Sequence, residues 1–190
     1  MMGRTNVSAP EIATDRLSLA PLLVSDAEAL FSYRALPEVC RHQSWEPLHI
    51  DDAVRFIEDH EPIEFDSPGT WFQLGVRLRD SDRLIGDLGV HFLEDGRQVE
   101  IGFTLEPASQ GKGLGTEAVV GLLGYLFGRL DKHRVFASVD PRNASSVRLL
   151  QRVGMQQEAH FRESLRFKGE WADDVVFAVL ASEWDGRSQA

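Results

Sequence analysis

The chain alternates between stretches of strand-like and helix-like hydrophobic spacing. Arg16 to Pro21 has period two and predicts a short first strand. Ser25-Asp26-Ala27-Glu28 has the form of a capping box, and Ala29, Leu30, Tyr33 and Leu36 follow at helical spacing until Pro37 ends or bends the helix. Asp51 and Asp52 precede Ala53, Val54, Phe56 and Ile57, predicting a second helix with its acids at the end where the helix dipole favours negative charge. Residues 62–69 read as a loop. Strand periodicity then returns three times, over Trp71–Arg79, Arg83–Leu93 and Arg97–Leu105, as a meander. After Gly111, Leu114, Ala118, Leu122, Leu126 and Leu130 recur every four residues, the strongest helical signal in the chain. Gly121, Gly124 and Gly128 on its other side cost about 1 kcal/mol each in helix stability, so they mark either close backbone packing or a tolerated solvent face. Arg134–Val139 is the next strand and Ser145–Val153 a short helix. Phe161–Arg166 and Val175–Leu180 form a closing hairpin around Lys168-Gly169-Glu170. This order predicts an α+β domain with a mixed, mostly antiparallel sheet flanked by helices. Residues 14–184 would form it, and residues 1–13 and 185–190 would be flexible tails.

Composition narrows the function classes. The 190 residues suit one domain, and 43% hydrophobic content is enough for a core. Thirty acidic against twenty basic side chains leave a net charge of -10, the wrong sign for gripping a nucleic acid backbone or an anionic membrane. Lys112, Lys132 and Lys168 are the only lysines, a bias that has no functional account at this level. Cys40 is alone, so neither an internal disulfide nor a cysteine-based zinc site is expected, and no metal is invoked. The first twenty residues hold no apolar run of export-signal length, and eighteen apolar residues never run together. A reducing, cytoplasmic setting is expected.

The chemistry concentrates in Gln110-Gly111-Lys112-Gly113-Leu114-Gly115-Thr116, between a strand and the long helix. Glycines let an anion approach backbone N–H groups, and the helix N-terminus adds a positive dipole end, so an anionic ligand is expected. A Walker A loop needs different spacing around its lysine. A dinucleotide fingerprint needs a small residue where Thr116 stands and an acid about twenty residues on, and Asp140 is too far along. What fits is Gln-x-x-Gly-x-Gly. With Thr14-Asp15-Arg16-Leu17, Leu84-Ile85-Gly86, Glu100-Ile101-Gly102-Phe103, Glu117-Ala118, Asn143-Ala144-Ser145-Ser146, Gly154-Met155 and Trp171-Ala172-Asp173 in order, the chain resembles the GNAT superfamily of acetyl-CoA-dependent N-acetyltransferases. Within it, the chain is similar to the Rim-type branch that acetylates ribosomal-protein N-termini.

That resemblance implies a single-domain GNAT-like fold and acetyl-CoA as co-substrate. Gln110, Gly111, Lys112, Gly113, Leu114, Gly115 and Thr116 would hold the CoA diphosphate, Thr104 and Leu105 would offer the strand edge to the pantetheine arm, and Asn143 would touch the same arm. Many members have a proton-donating tyrosine four residues before the glycine that is Gly154 here, where this chain has Leu150. Ser146, matching the serine of the branch's Asn-x-x-Ser motif, is the candidate to protonate the departing thiolate, although it could equally serve only its helix turn. The resemblance also implies a backbone N–H, freed near Gly102 or Phe103 by a bulged strand, to stabilise the tetrahedral intermediate.

The meander adds a reading of its own. Asp95-Gly96 predicts a two-residue type I′ turn, so paired positions sum to 191: His91 faces Glu100, Gly89 faces Gly102 and Asp87 faces Thr104 on a polar side. Leu88, Val90, Phe92, Val99, Ile101 and Phe103 then make the other side apolar. Acetyl transfer needs a neutral amine, and an α-ammonium group ionises at about 7.7–8.0, so a modest base suffices, directly or through water. Glu100 beside His91 is the candidate base, with a solvated cross-strand contact as the alternative. Trp45, Trp71 and Trp171 are read as core side chains, with lining of a substrate pocket as the alternative. The acceptor would be a protein N-terminus or another cationic amine, drawn by the acidic surface. A small-molecule amine or antibiotic N-acetyltransferase and a noncatalytic CoA-binding module are the alternatives, and a homodimer is left open.

Overall fold

In this computed structural model, which describes residues 10–185, order begins earlier than the sequence pattern suggests. Strand β1 (Ile12–Ala13) pairs antiparallel with β2 (Leu17–Pro21), setting Ile12 opposite Leu19 with both buried. The domain therefore starts before residue 14, since two residues are too few to show a period. The rest of the expected tails, residues 1–9 and 186–190, falls outside the described residues.

A one-turn helix at Val24–Asp26 leads into α1 (Ala27–Arg34). The cap is offset from the expected Ser25/Glu28 box: the Asp26 carboxylate accepts the Leu23 N–H at 2.8 Å and also pairs with Arg77. Pro37 opens the short helix α2 (Pro37–Cys40), at the position where its missing N–H costs nothing. Helix α3 (Ile50–His60) is capped by Asp52, whose carboxylate accepts the N–H groups of Leu48 and His49, both at 2.8 Å.

The meander is β3 (Thr70–Leu78), β4 (Leu84–Phe92) and β5 (Gln98–Leu105). Its β4–β5 register is the one expected, with His91 opposite Glu100, Gly89 opposite Gly102 and Asp87 opposite Thr104. The turn differs. Only Gly96 has positive φ (67°), and its N–H bonds to the Leu93 carbonyl, whereas type I′ geometry needs positive φ at both central residues. A four-residue loop centred on the same pair conserves the register sum. Asp95 closes that loop by accepting from the N–H groups of Arg97 and Gln98.

Helix α4 (Leu114–Gly128) buries Leu114, Ala118, Leu122 and Leu126. Its glycines divide between the two explanations: a Cβ on Gly121 would lie 2.7 Å from Thr14 Cγ2, so β1 needs that glycine, while Gly124 and Gly128 face open space. Strand β6 (Arg134–Val139) and α5 (Ala144–Arg152) follow, and the hairpin is β7 (Gln156–Phe167) and β8 (Glu170–Leu180). The type I′ arrangement occurs here, at Lys168 (φ 48°) and Gly169 (φ 88°) between the paired Phe167 and Glu170.

The strands form one eight-stranded sheet in the order β1-β2-β3-β4-β5-β6-β8-β7, antiparallel except between β5 and β6. The main core joins the inner strands to α4 and includes Leu88, Val90, Phe92, Val99 and Ile101, the side expected to be apolar. A smaller cluster packs α1 and α3 together. Among the described residues, no helix is long and apolar enough to cross a membrane.

Candidate active site

Parallel pairing between β5 and β6 covers only Gln98–Arg134, Val99–Val135 and Glu100–Phe136, after which the strands diverge. Which backbone groups this releases follows from the ladder. Bonds from Glu106 N–H to the Ile85 carbonyl and from Leu93 N–H to the Gln98 carbonyl place the even-numbered β5 residues in hydrogen-bonded pairs with β4. Beyond the last pair, Phe103 and Leu105 therefore turn their N–H and C=O groups toward the gap. No bulge interrupts β4–β5 pairing, so divergence, rather than the expected bulge, frees the Phe103 amide; that of Gly102 is committed to β4. By the same parity Phe103 and Leu105 offer edge groups, while Thr104 contributes its side chain.

Two cavities occupy this gap. The larger, about 630 Å³, runs from Phe103, Thr104 and Leu105 past the glycine loop to α5. Gln110, Gly111, Gly113, Gly115, Thr116, Asn143 and Ser146 all line it, whereas Lys112 and Leu114 do not. Leu114 is buried in the core, and Lys112 contributes a carbonyl that accepts from Arg16 at 3.1 Å. Gln110 acts through its side chain, which donates to the Leu105 carbonyl at 2.9 Å and fastens the loop to the end of β5. Gly111 and Gly113 adopt left-handed φ of 73° and 77°, a conformation that favours glycine. Gly115 is needed for space, since a Cβ there would lie 3.0 Å from Leu149 Cδ1. At the first turn of α4, Glu117 holds the loop's far side by accepting from Thr14 Oγ1 (2.6 Å), Arg16 N–H (2.7 Å) and Arg16 Nε (2.6 Å). Burial works against its charge, but these donors outweigh it and keep the carboxyl below its ordinary range.

Arg41, Arg142, Arg148 and Arg152 also line this cavity, and sequence reading passed over them. Arg142 is committed to Asp140; the other three make no ion pair with a carboxylate among the described residues. Arg148 and Arg152, four apart on α5, share a helix face, and that spacing was a legible signal. A helix N-terminus, a glycine loop and unneutralised guanidinium groups are the surroundings that phosphates require, so the cavity fits CoA.

The smaller cavity, about 280 Å³, lies between the divergent strands and the β7–β8 hairpin. His42, Gln43, Phe103, Asn143 and Ser146 line both cavities and so form their junction. Asn143 caps α5, its Oδ1 accepting the Ser146 N–H at 3.2 Å, while Asn143 Nδ2 and Ser146 Oγ make no hydrogen bond among the described residues. Leu150 is fully buried, so that position supplies no proton donor. The second cavity carries acid: Asp140 and Asp174 line it, with Asp173 beside them. The Arg142 guanidinium holds the Asp140 carboxyl below the usual carboxylate range. Asp173 is spent on the hairpin, accepting from Glu163 N–H at 2.9 Å and contacting His160 at 2.7 Å.

Glu100 lines neither cavity. Its carboxylate stands 3.5 Å from His91 Nδ1 on the open end of the polar face, where Trp71 stacks on the His91 ring at 4.8 Å. The space above Gly102 is empty, while Trp71 fills that above Gly89. Two of the tryptophans read as core are exposed, Trp71 by 38% and Trp171 by 61%; Trp45 packs on Phe56 as expected. The other end of the polar face is closed by a network the sequence did not reveal. Asp87, fully buried, pairs with Arg34 and accepts from the Tyr33 hydroxyl at 2.6 Å; Arg34 Nη1 donates to Gln43 Oε1 at 2.7 Å, and Gln43 Nε2 to Thr104 Oγ1 at 2.9 Å. Burial, reinforced by Asp87, pushes the Tyr33 phenol well above its usual range. The segment holding Cys40 borders the site, since Val39 and Arg41 line the larger cavity. The Cys40 thiol itself turns to the Leu36 and Arg34 carbonyls, and burial raises its pKa.

The comparisons with known proteins agree with this geometry. The family model of the acetyltransferase (GNAT) domain matches residues 16–156. The chain is 31% identical over 176 residues to the uncharacterized N-acetyltransferase p20 of Bacillus licheniformis, covering 91% of this chain and 97% of that protein. It is 28% identical over 190 residues to the [ribosomal protein uS5]-alanine N-acetyltransferase of Escherichia coli, covering 95% and 96% respectively. Among solved structures, a GNAT-family acetyltransferase from Bacillus anthracis superposes with a TM-score of 0.83 at 25% identity, covering 92% of this chain and all of that one. The chain belongs to the GNAT family and is an acetyl-CoA-dependent N-acetyltransferase.

Proposed function

We propose that the protein moves the acetyl group of acetyl-CoA directly to a primary amine, and that the acceptor is a protein N-terminus of the ribosomal-protein type in a cytoplasmic setting. The observation that carries this reading is the meeting of two unlike cavities, one walled by guanidinium groups and backbone donors, the other by carboxylates, at a junction holding Asn143 and Ser146. Phosphates suit the first and an ammonium group suits the second. The coverage of the E. coli ribosomal-protein enzyme supports the acceptor class.

In this reading the residues of the glycine loop and α4 bind the diphosphate, and Asn143 Nδ2 is available to the pantetheine arm. The Phe103 amide is directed at the developing oxyanion. Ser146 Oγ donates the proton that the departing sulfur takes up. Glu100, outside both cavities, accepts a proton from the amine only through water. The acids of the second cavity would serve a polyamine as well as a peptide α-ammonium, so a panel of N-terminal peptides should be assayed beside polyamines and aminoglycosides, following CoA release. Turnover of peptides is the expected result. Turnover of the small amines with none of any peptide would overturn the N-terminal assignment.

A further inference from the structure

Resting on the proposed acetyl transfer, we propose that His42 is the group that takes the proton directly from the attacking amine, with the water-linked route to Glu100 carrying the reaction only when His42 is protonated or missing. His42 is the one imidazole that lines both cavities. Its Nδ1 is shielded from solvent, has no hydrogen-bond partner among the described residues and stands 3.5 Å from Asp140 Oδ2. Hydrogen bonds of this kind are often long before substrate binds. A proton on Nδ1 would face the carboxylate and leave the Nε2 lone pair free for an amine.

The position of His42 is set by buried structure. Its neighbour Gln43 is gripped on both sides, by Arg34 from α1 and by Thr104 from β5, and Arg34 is locked to the buried Asp87 of β4. The chain at His42 is therefore tied to the strand whose edge borders the reacting centre. This gives the Asp87–Arg34–Gln43 network a positioning role. Charged groups line one or the other cavity from each neighbouring element: Glu38 from α2, Arg41 beside His42, Asp140 and Arg142 from the β6–α5 connection, Arg148 and Arg152 from α5, and Asp173 and Asp174 from β8. Asp140 is the one within ion-pairing distance of the ring.

The proton count closes. As the amine nitrogen bonds to the thioester carbonyl carbon, its proton passes to His42 Nε2. The C–S bond breaks with its electron pair on sulfur, which takes the Ser146 hydroxyl proton, and the His42 proton returns through water to the Ser146 oxygen. An acceptor arriving as ammonium releases one further proton to solvent.

The test compares the pH dependence of kcat/KM for an N-terminal peptide in wild type, His42→Asn, His42→Gln and Glu100→Gln. On the acid side direct transfer needs both amine and His42 deprotonated, so Glu100→Gln should approach a slope of two, and wild type should do so until the water-linked route to Glu100 takes over. The His42 variants should fall to a slope of one, with kcat/KM reduced about a hundredfold. Because His42 holds no other described residue by a hydrogen bond, both variants should keep the wild-type fold by circular dichroism. His42 variants within twofold of wild type that keep the slope of two would overturn the proposal and leave the acetyltransferase reading intact. If wild type acetylates no amine, the functional reading fails instead. Nitrogen-15 NMR of the His42 ring with CoA bound decides separately: the Nδ1–H tautomer is expected, and an Nε2–H tautomer would overturn the proposal without any turnover measurement.

Discussion

Asp87→Ala should cost about 3–5 kcal/mol of folding stability in urea titration, because it leaves the Arg34 guanidinium buried with no counter-charge and the Tyr33 hydroxyl without its acceptor. A single domain holds roughly 5–15 kcal/mol in all, so this one change should remove a large share. The double variant Asp87→Leu with Arg34→Met separates packing from function. Replacing a buried pair by apolar side chains is often neutral, so most of the stability should return. Activity should stay low, since Gln43 has lost its Arg34 donor and the chain at His42 its anchor. A loss below about 1 kcal/mol for Asp87→Ala would mean that the pair is not the clamp described.

Ser146→Ala should have the opposite signature. Its hydroxyl makes no hydrogen bond among the described residues and the residue sits in the first turn of α5, so stability should change by no more than about 0.5 kcal/mol. Loss of a positioned proton donor typically costs 10²–10⁴ in rate, and kcat should fall about a hundredfold with little change in the acceptor KM. An unchanged kcat would reduce Ser146 to a helix-turn residue. With Leu150 buried, the proton for sulfur would then come from water.

The fold was readable in the sequence wherever periodicity was long. The three-strand meander, α4 and the closing hairpin stand where their apolar spacing puts them. The β4–β5 register is correct although the turn is of another type, because both turn lengths share the same centre. What periodicity could not convey is pairing between remote elements. β1 is two residues long, and Asp87 looked like one position on the polar side of a hairpin, yet it is sealed under α1 by Arg34, more than fifty residues away. The glycine loop carried its own signal in its glycine spacing, and Gly111, Gly113 and Gly115 line the cavity. Glu100 carried only a cross-strand partner, and its distance from the gap depends on where β5 leaves β6, a property of neither strand's sequence alone. His42 had no pattern at all; its place comes from two side-chain bonds made by Gln43.

The central claim is that acetyl donor and amine meet at the junction where β5 and β6 part, with no covalent step on the protein. Initial rates measured over a grid of acetyl-CoA and acceptor concentrations test it most directly. Direct transfer in a ternary complex predicts double-reciprocal lines that intersect, and intact-mass spectra of the protein incubated with acetyl-CoA alone that show no acetyl adduct. Parallel lines together with an acetylated protein would contradict it.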